Sequence, residues 1–249
     1  MISYPTVLVF SGLDPSGGAG MAADQMTVAA QGAHALPVVT ALTVQDNNRV
    51  FEVVPVESAL LLRQGRALAA AFLIGAVKIG IPGNRANAEA IAQLIAELRA
   101  ADPDLPVVLD PVLASGHGDV LTRGDAVQAL APLLTLATVV TPNLGEAQAL
   151  APLRTDGMLV TGGHGEGVEV INRWLDADGS AREWRWPRLA GEFHGSGCTL
   201  AAAIAARLAL GEHLALALER AQAYTQQTLA QSFAIGPGQR IPQRHLTNT

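Results

Sequence analysis

Short apolar runs alternate with segments of helical periodicity along almost the whole chain, and this alternation narrows the possible folds more than any other feature. Residues 6–11, 36–43, 76–79, 107–110, 137–141 and 158–160 read as strands. Between them, residues 19–31, 57–72, 85–99, 124–130 and 144–150 read as helices. A helix between two strands of one sheet carries the chain back across a face, so successive strands run parallel. The strands are nearly unbroken in Val, Leu and Ile, as expected of a sheet covered on both faces. Two segments depart from the rhythm. Residues 49–56 suggest an edge strand or flap, and residues 168–175 and 181–186 flank Asp178-Gly179, a hairpin signal. Helices over 199–210 and 213–232 close the chain. No repeat or linker divides the 249 residues. The expectation is therefore one domain over 1–249, of α/β class, with a mostly parallel sheet between helical layers and a small edge flap.

The remaining composition limits the partners. Hydrophobic residues make up 49% of the chain and the formal net charge is -6. That supports a large core and argues against nucleic acid or an anionic membrane as a partner, since no basic stripe is present. A single cysteine excludes an intramolecular disulfide and suits a reducing compartment. The apolar run at 7–10 is too short for a signal or a span, and so is 199–210, which leads to an expected cytoplasmic location.

In an open parallel sheet, ligands bind beyond the C-terminal ends of the strands. Gly12 to Gly20, Gln45 to Asn48, Lys78 to Gly80, Asp110, Asn143 to Glu146 and Thr161 to Gly165 all fall at such ends. Gly195-Ser196-Gly197-Cys198 opens a helix, where free N–H groups favour phosphate and the dipole would lower the pKa of a thiol. Cys198 is then either part of an anion hole and a base for an alcohol, or a small packed side chain. Asn143 and Glu146, three apart on a helical first turn, suit a hydrated Mg²⁺ or, equally, a helix cap. Asp110, before Pro111, either joins them electrostatically or forms a turn. Gly12-Leu13-Asp14-Pro15-Ser16-Gly17-Gly18-Ala19-Gly20 lacks the lysine and the spacing of a Walker loop. It either faces a cleft, with Asp24 one helical turn on, or packs a strand tightly against a helix and leaves Asp24 solvated. Thr161-Gly162-Gly163-His164 would let backbone approach a nucleotide, or is only a turn. Lys78 is the only lysine, against fifteen arginines.

Taken in order, these segments resemble the hydroxymethylpyrimidine/phosphomethylpyrimidine kinases of thiamine biosynthesis, in the ribokinase-like superfamily. The matching stretches are Ser11 to Gly20 with Ala23-Asp24, Thr40-Ala41-Leu42-Thr43-Val44-Gln45, Lys78-Ile79-Gly80, Asp110-Pro111-Val112, Thr141-Pro142-Asn143-Leu144-Gly145-Glu146 and His194-Gly195-Ser196-Gly197-Cys198. The resemblance implies a three-layer α/β/α sandwich and an ATP- and Mg²⁺-dependent kinase, commonly a homodimer. Its substrates would be 4-amino-5-hydroxymethyl-2-methylpyrimidine and then the monophosphate. Asp24 and Gln45 would hydrogen-bond the aminopyrimidine, with Gly12, Ala19, Val44 and Ile81 shaping its pocket. Asn143, Thr161 and Gly163 would meet the nucleotide, and Glu146 and Asp110 the metal. Gly195, Ser196 and Gly197 would stabilise the transferring phosphoryl group, with Cys198 as base.

Two departures from the family pattern stand out. Thr161 occupies a position where lysine is usual, and residues 150–157 are too few for a further helix before the next strand. Weaker ATP binding or an altered donor preference is the expected result. A pyridoxal or pyridoxine kinase is the nearest alternative, and a catalytically weak ligand-binding protein on the same fold is another. Gln45 and the cysteine favour the pyrimidine.

Overall fold

The computed structural model describes residues 4–114, 118–119, 121, 125–153, 157–163, 165–176 and 178–245. Gly124 and His164 of the expected helix and turn lie outside them, as does part of the 150–157 segment. Among the described residues the order is β1 (Thr6–Leu13), α1 (Gly20–Ala30), β2 (His34–Gln45), β3 (Val50–Pro55), α2 (Ser58–Ala71), β4 (Ala76–Ile79), α3 (Arg85–Arg99) and β5 (Val107–Leu109). It continues with α4 (Ala126–Leu134), β6 (Val139–Val140), α5 (Leu144–Leu150), β7 (Met158–Val160), β8 (Glu169–Leu175), β9 (Ala181–Pro187), α6 (Ser196–Ala209) and α7 (Leu214–Ala230).

The strands form one sheet in the order β3-β2-β1-β4-β5-β6-β7-β8-β9. From β2 to β7 every pairing is parallel, while β3 and the β8–β9 hairpin pair antiparallel at the two ends. The unbroken apolar runs have a direct cause. Successive strand residues point to opposite faces, and here both faces are buried. Val7 and Val9 enter the core beneath α1, α6 and α7, whereas Leu8 and Phe10 enter the core beneath α2, α3 and α4. Val108 and Val139 divide from Leu109 and Val140 in the same way. The layers are therefore helix, sheet, helix, as in a ribokinase-like sandwich.

Helix α6 has no solvent face between Thr199 and Ala206, all of which are buried. Its alanines let it lie against β1, β4, β5, α1 and α7 together, as a helix apolar all round requires. β2 runs longer than its apolar core suggests and includes Pro37. β3 pairs only with residues 41–45 of β2, so Pro37 sits where β2 is an edge and its missing N–H breaks no ladder. The pairing of β1 with β2 shifts between Ser11 and Gly12. Such an irregularity bends a strand, and here it turns β1 into the glycine-rich loop.

Candidate active site

Three loops meet at the C-terminal ends of the parallel strands. The first follows β1 and is organised by Asp14, which is 4% exposed. Its carboxylate accepts hydrogen bonds from the backbone N–H of Ser16 and of Ala19, each at 2.8 Å, and from the Ser16 hydroxyl at 2.9 Å. Its Oδ2 also lies 2.8 Å from Nε2 of His194. Burial alone would raise the pKa of Asp14, but hydrogen bonds from His194, Gln45 and Ser16 overcome it and hold it at about 2. Gln45, at the end of β2, is thus drawn to the loop. Ile81 lies against Gly12, where an added Cβ would meet Ile81 Cδ1 at 2.6 Å. Gly12, Ala19, Gln45 and Ile81 are brought together. Val44 is not: its side chain takes the other face of β2 and is 52% exposed.

Asp24 requires a correction. It is fully buried rather than solvated or facing the cleft, and its Oδ2 meets Lys78 Nζ at 2.8 Å. Residue 24 is one turn into α1 and points down at β4 rather than outward. Burial would lower the pKa of Lys78, but the Asp24 carboxylate, Cys198 and Asp110 reverse this and raise it, which keeps the lysine an ammonium; burial raises Asp24, against the pull of Lys78. The sole lysine bends back over Gly80, whose missing side chain makes room for Nζ.

The second loop is the turn before α6. Gly195 has φ 81°, in the left-handed region, and a Cβ there would fall 2.2 Å from the Gly18 carbonyl oxygen. Only glycine satisfies both demands. The intrahelical bonds begin with Thr199 N–H to Gly195 O at 3.0 Å, so the N–H groups of Ser196, Gly197 and Cys198 precede the ladder, as at any helix start. Asp110 faces this turn: its carboxylate oxygens lie 3.5 and 3.6 Å from the Cβ position of Gly197, and Cys198 lies near enough to lower its pKa.

The expectation of a lowered thiol pKa is overturned. Cys198 is partly exposed, yet the protein packed around it pushes its thiol up to about 12, chiefly by desolvation. Lys78 opposes the rise, while Asp24 and Asp110 add to it. A helix dipole gives a fraction of a charge, too little against the desolvation that leads the rise. Burial likewise raises Asp110 to about 6, against the pull of Lys78.

The third loop joins α5 to the strand ends. Asn143 and Glu146 form a capping box: Asn143 Oδ1 accepts from Glu146 N–H at 2.9 Å, and Glu146 Oε2 accepts from Asn143 N–H at 2.8 Å. Glu146 Oε1 accepts from Leu113 N–H at 3.3 Å. Burial first and the charge of Asp110 second push Glu146 up to about 7. Thr161 bridges to Asn143, and its hydroxyl donates to the Pro142 carbonyl. Gly163 faces open space.

Several supporting residues carry no recognisable sequence signal. Gly162 N–H donates to Asn172 Oδ1 at 3.0 Å, and Asn172 in turn donates to Gln222 at 2.9 Å. Arg188 donates to the carbonyls of Gly162, Gly163, Gly167 and Glu169. These contacts fix the 161–169 loop from beneath. Each pairs residues far apart in sequence, so no local pattern announces them.

The comparisons with known proteins agree with this geometry. The sequence pattern of the family described as phosphomethylpyrimidine kinase matches residues 14–156 and 148–243. The hydroxymethylpyrimidine/phosphomethylpyrimidine kinase of Streptomyces coelicolor is 35% identical over 95% of this chain and 93% of its own. That of Rhizobium meliloti is 37% identical over 96% of each. Among solved structures, the pyridoxal kinase of Bacillus subtilis in its ADP complex is similar with a TM-score of 0.85 at 26% identity, covering 97% of this chain and 98% of that one. The phosphomethylpyrimidine kinase from Clostridium difficile has a TM-score of 0.75 at 26% identity, covering 91% and 100%.

Proposed function

The chain belongs to the phosphomethylpyrimidine kinase family, and we propose that it phosphorylates 4-amino-5-hydroxymethyl-2-methylpyrimidine and then its monophosphate, with ATP as donor, in thiamine biosynthesis. One observation carries this reading: the Asp14–Gly20 loop with Gln45 abuts the Gly195–Cys198 turn, Gly18 against Gly195. An acceptor held by the first would present its hydroxyl to the second.

Gln45 offers a specific reason for an aminopyrimidine. Its side-chain amide lies near enough to Asp14 to lower that carboxyl's pKa; a carboxylate only accepts, so the amide N–H₂ end would face Asp14. The amide oxygen would then be turned outward as an acceptor for an amino group. Gly12, Ala19 and Ile81 would border the ring. The Gly195, Ser196 and Gly197 turn would receive the transferring phosphoryl group on its N–H groups.

Asn143, Thr161 and Gly163 would border the nucleotide. Glu146, with the charge of Asp110 beside it, would hold a magnesium ion through its waters. The residues fit such an ion: burial pushes both carboxylates up, with Asp110 adding to the rise of Glu146 and Asp24 to that of Asp110, and among the described residues the buried Asp110 Oδ2 has no partner. Bound there, magnesium would neutralise phosphate charge.

In the first transfer, the acceptor oxygen forms its bond to the γ-phosphorus as the bridging P–O bond breaks and ADP leaves with the electron pair. The alcohol proton goes to Cys198 Sγ while the thiol proton moves to the neighbouring carboxylate of Asp110. A thiol with a pKa near 12 is thus a relay rather than a standing thiolate. In the second transfer the acceptor is a phosphate monoester, already anionic near neutral pH, and needs no base.

Leu13, Leu42, Val44 and Val54 line one exposed apolar face of the β2–β3 extension, with Leu42 paired to both Leu13 and Val54. This face suits a second copy of the chain, and Leu42→Glu would give a monomer by light scattering if it does. The function itself is tested by coupled ADP release with hydroxymethylpyrimidine, its monophosphate and pyridoxal side by side. Turnover of pyridoxal alone would overturn the proposal.

A further inference from the structure

Arg244 is the largest fully buried side chain among the described residues, at 0% exposure. Its guanidinium lies directly behind the two glycine loops. Nη2 donates to the Gly18 carbonyl at 2.6 Å and to the Gly195 carbonyl at 3.3 Å, and Nε donates to Thr199 Oγ1 at 3.0 Å. One side chain therefore bonds the acceptor loop, the phosphate-facing turn and the first full turn of α6. The surrounding segment brings it there. Tyr224 Oη donates to the Arg244 carbonyl at 2.8 Å, Gln243 N–H to Thr228 O at 3.0 Å, and His194 N–H to Arg240 O at 2.9 Å. Burying a guanidinium is costly unless its charge and donors are matched. Burial lowers its pKa, with Cys198, Asp24, Tyr224 and Asp14 opposing the change. Nη1 remains buried with no hydrogen-bond partner among the described residues. Packing alone would be served at lower cost by a methionine or leucine, so retention of a charge here asks for another explanation.

We propose that Arg244 is a positioning residue that locks the acceptor loop at Gly18 to the phosphate-facing turn at Gly195, so that the acceptor oxygen and the turn's N–H groups are held at one fixed separation. The inference rests on the kinase reading for its consequence but not for its geometry. Carbonyl oxygens of two loops repel when brought together, and a shared cationic donor converts that repulsion into attraction. Transfer rates depend steeply on such distances, since a misplacement of about 1 Å costs on the order of 10²-fold. Lysine carries the charge on a single point and cannot span two carbonyls and a hydroxyl in one plane.

The test compares the parent with Arg244→Met, Arg244→Lys and Thr199→Val by amide hydrogen exchange and by steady-state turnover. Arg244→Met is expected to speed exchange at residues 16–20 and 195–199 together, leaving β4 and β5 unchanged. Its kcat should fall by roughly 10- to 100-fold with alcohol and phosphate acceptors alike, while acceptor KM moves by less than about threefold. Arg244→Lys should recover part of the kcat. Exchange that rises over the whole chain, at only one of the two loops or at neither would overturn the proposal, and so would a kcat within about twofold of the parent in a folded variant. If Arg244→Met fails to fold, Thr199→Val, which removes the Nε acceptor along with the Thr199 hydroxyl's own bond to the Gly195 carbonyl at 2.8 Å, must show a smaller rise in exchange at residues 16–20 as well as at 195–199; a rise confined to 195–199, or none, counts against the proposal. The exchange readout needs no substrate, so a parent that turns over no pyrimidine refutes the activity without touching the lock.

Discussion

Asp14 and His194, 180 positions apart in the chain, meet at 2.8 Å and tie the end of β1 to the start of α6. The contact makes Asp14 a structural hub as well as a neighbour of the proposed acceptor site. Its pKa of about 2 lies below the ordinary 3.8, so the folded protein binds its proton more weakly than the unfolded chain does. The resulting stability is fully present above pH 3.8 and is lost as pH falls through about 2. Asp14→Asn is expected to remove roughly 2 kcal/mol at neutral pH. Urea unfolding of the two proteins should differ at pH 7 and converge on acidification; a gap that persists at the acid end would contradict the hub.

Cys198 should matter for one transfer only. Cys198→Ala is expected to slow phosphorylation of the alcohol by about 100-fold, within the usual range for general-base catalysis, and that of the monophosphate by less than about threefold. Single-turnover assays of each step separate the two. With Asp110 at about 6, the alcohol step should also weaken as pH drops below that value, because a protonated Asp110 cannot take the thiol proton. Equal losses in both steps would remove the relay.

Asp110 and Glu146 predict how a divalent ion acts on stability. Their pKa values are raised, to about 6 and about 7. Folding therefore favours their protonated forms, and they cost stability as pH rises from the unfolded values through the folded ones. Magnesium offsets that cost only where the carboxylates are ionised. The rise in Tm with added Mg²⁺ should be larger at about pH 8 than at about pH 5.5, and Glu146→Gln should shrink it. A rise independent of pH would be the wrong result.

Thr161 supplies no cation to the proposed nucleotide side, and the donors of Arg188 are engaged by four backbone carbonyls. Only residues 151–157 separate α5 from β7, leaving no room for a further helix. Calorimetric titration should therefore find weaker ATP binding than in relatives with both features. Thr161→Lys should tighten it by several-fold, since a charge pair near a protein surface is worth on the order of 1 kcal/mol after screening. No change on adding the lysine would show that the cation is supplied elsewhere.

Lys78 and Asp24 should behave as one unit. Lys78→Met strands a buried carboxylate and is expected to cost ~3–5 kcal/mol, whereas adding Asp24→Leu to it should restore much of the loss. Chemical denaturation of the single and double variants decides this. A double variant as unstable as the single one would mean that packing, not charge, dominates there.

The sheet was legible because its strands are buried on both faces, which writes them into the sequence as unbroken runs such as Val107-Val108-Leu109. The candidate site was legible as an ordered series of strand-end segments, and those holding Gly12, Gln45, Ile81, Asn143, Glu146 and the Gly195 turn lie at one edge of the sheet. What the sequence concealed was burial. A helix start lowers a thiol pKa locally, but only the fold surrounds Cys198 with Asp24 and Asp110. Asp24 lies one turn into α1 in either reading, and only β4 beneath it decides that it meets Lys78. Arg244 and Asn172 act across the fold, where no spacing rule reaches.

The sheltered position of Lys78 has a practical consequence. It is the only lysine of the chain, and it is fully buried and held as an ammonium by Asp24. The folded protein thus presents no side-chain amine to solvent. Acylating reagents, amine-directed cross-linkers and lysine-cleaving proteases find no side-chain target until the core opens, so a lysine-directed label on this protein measures how often it unfolds.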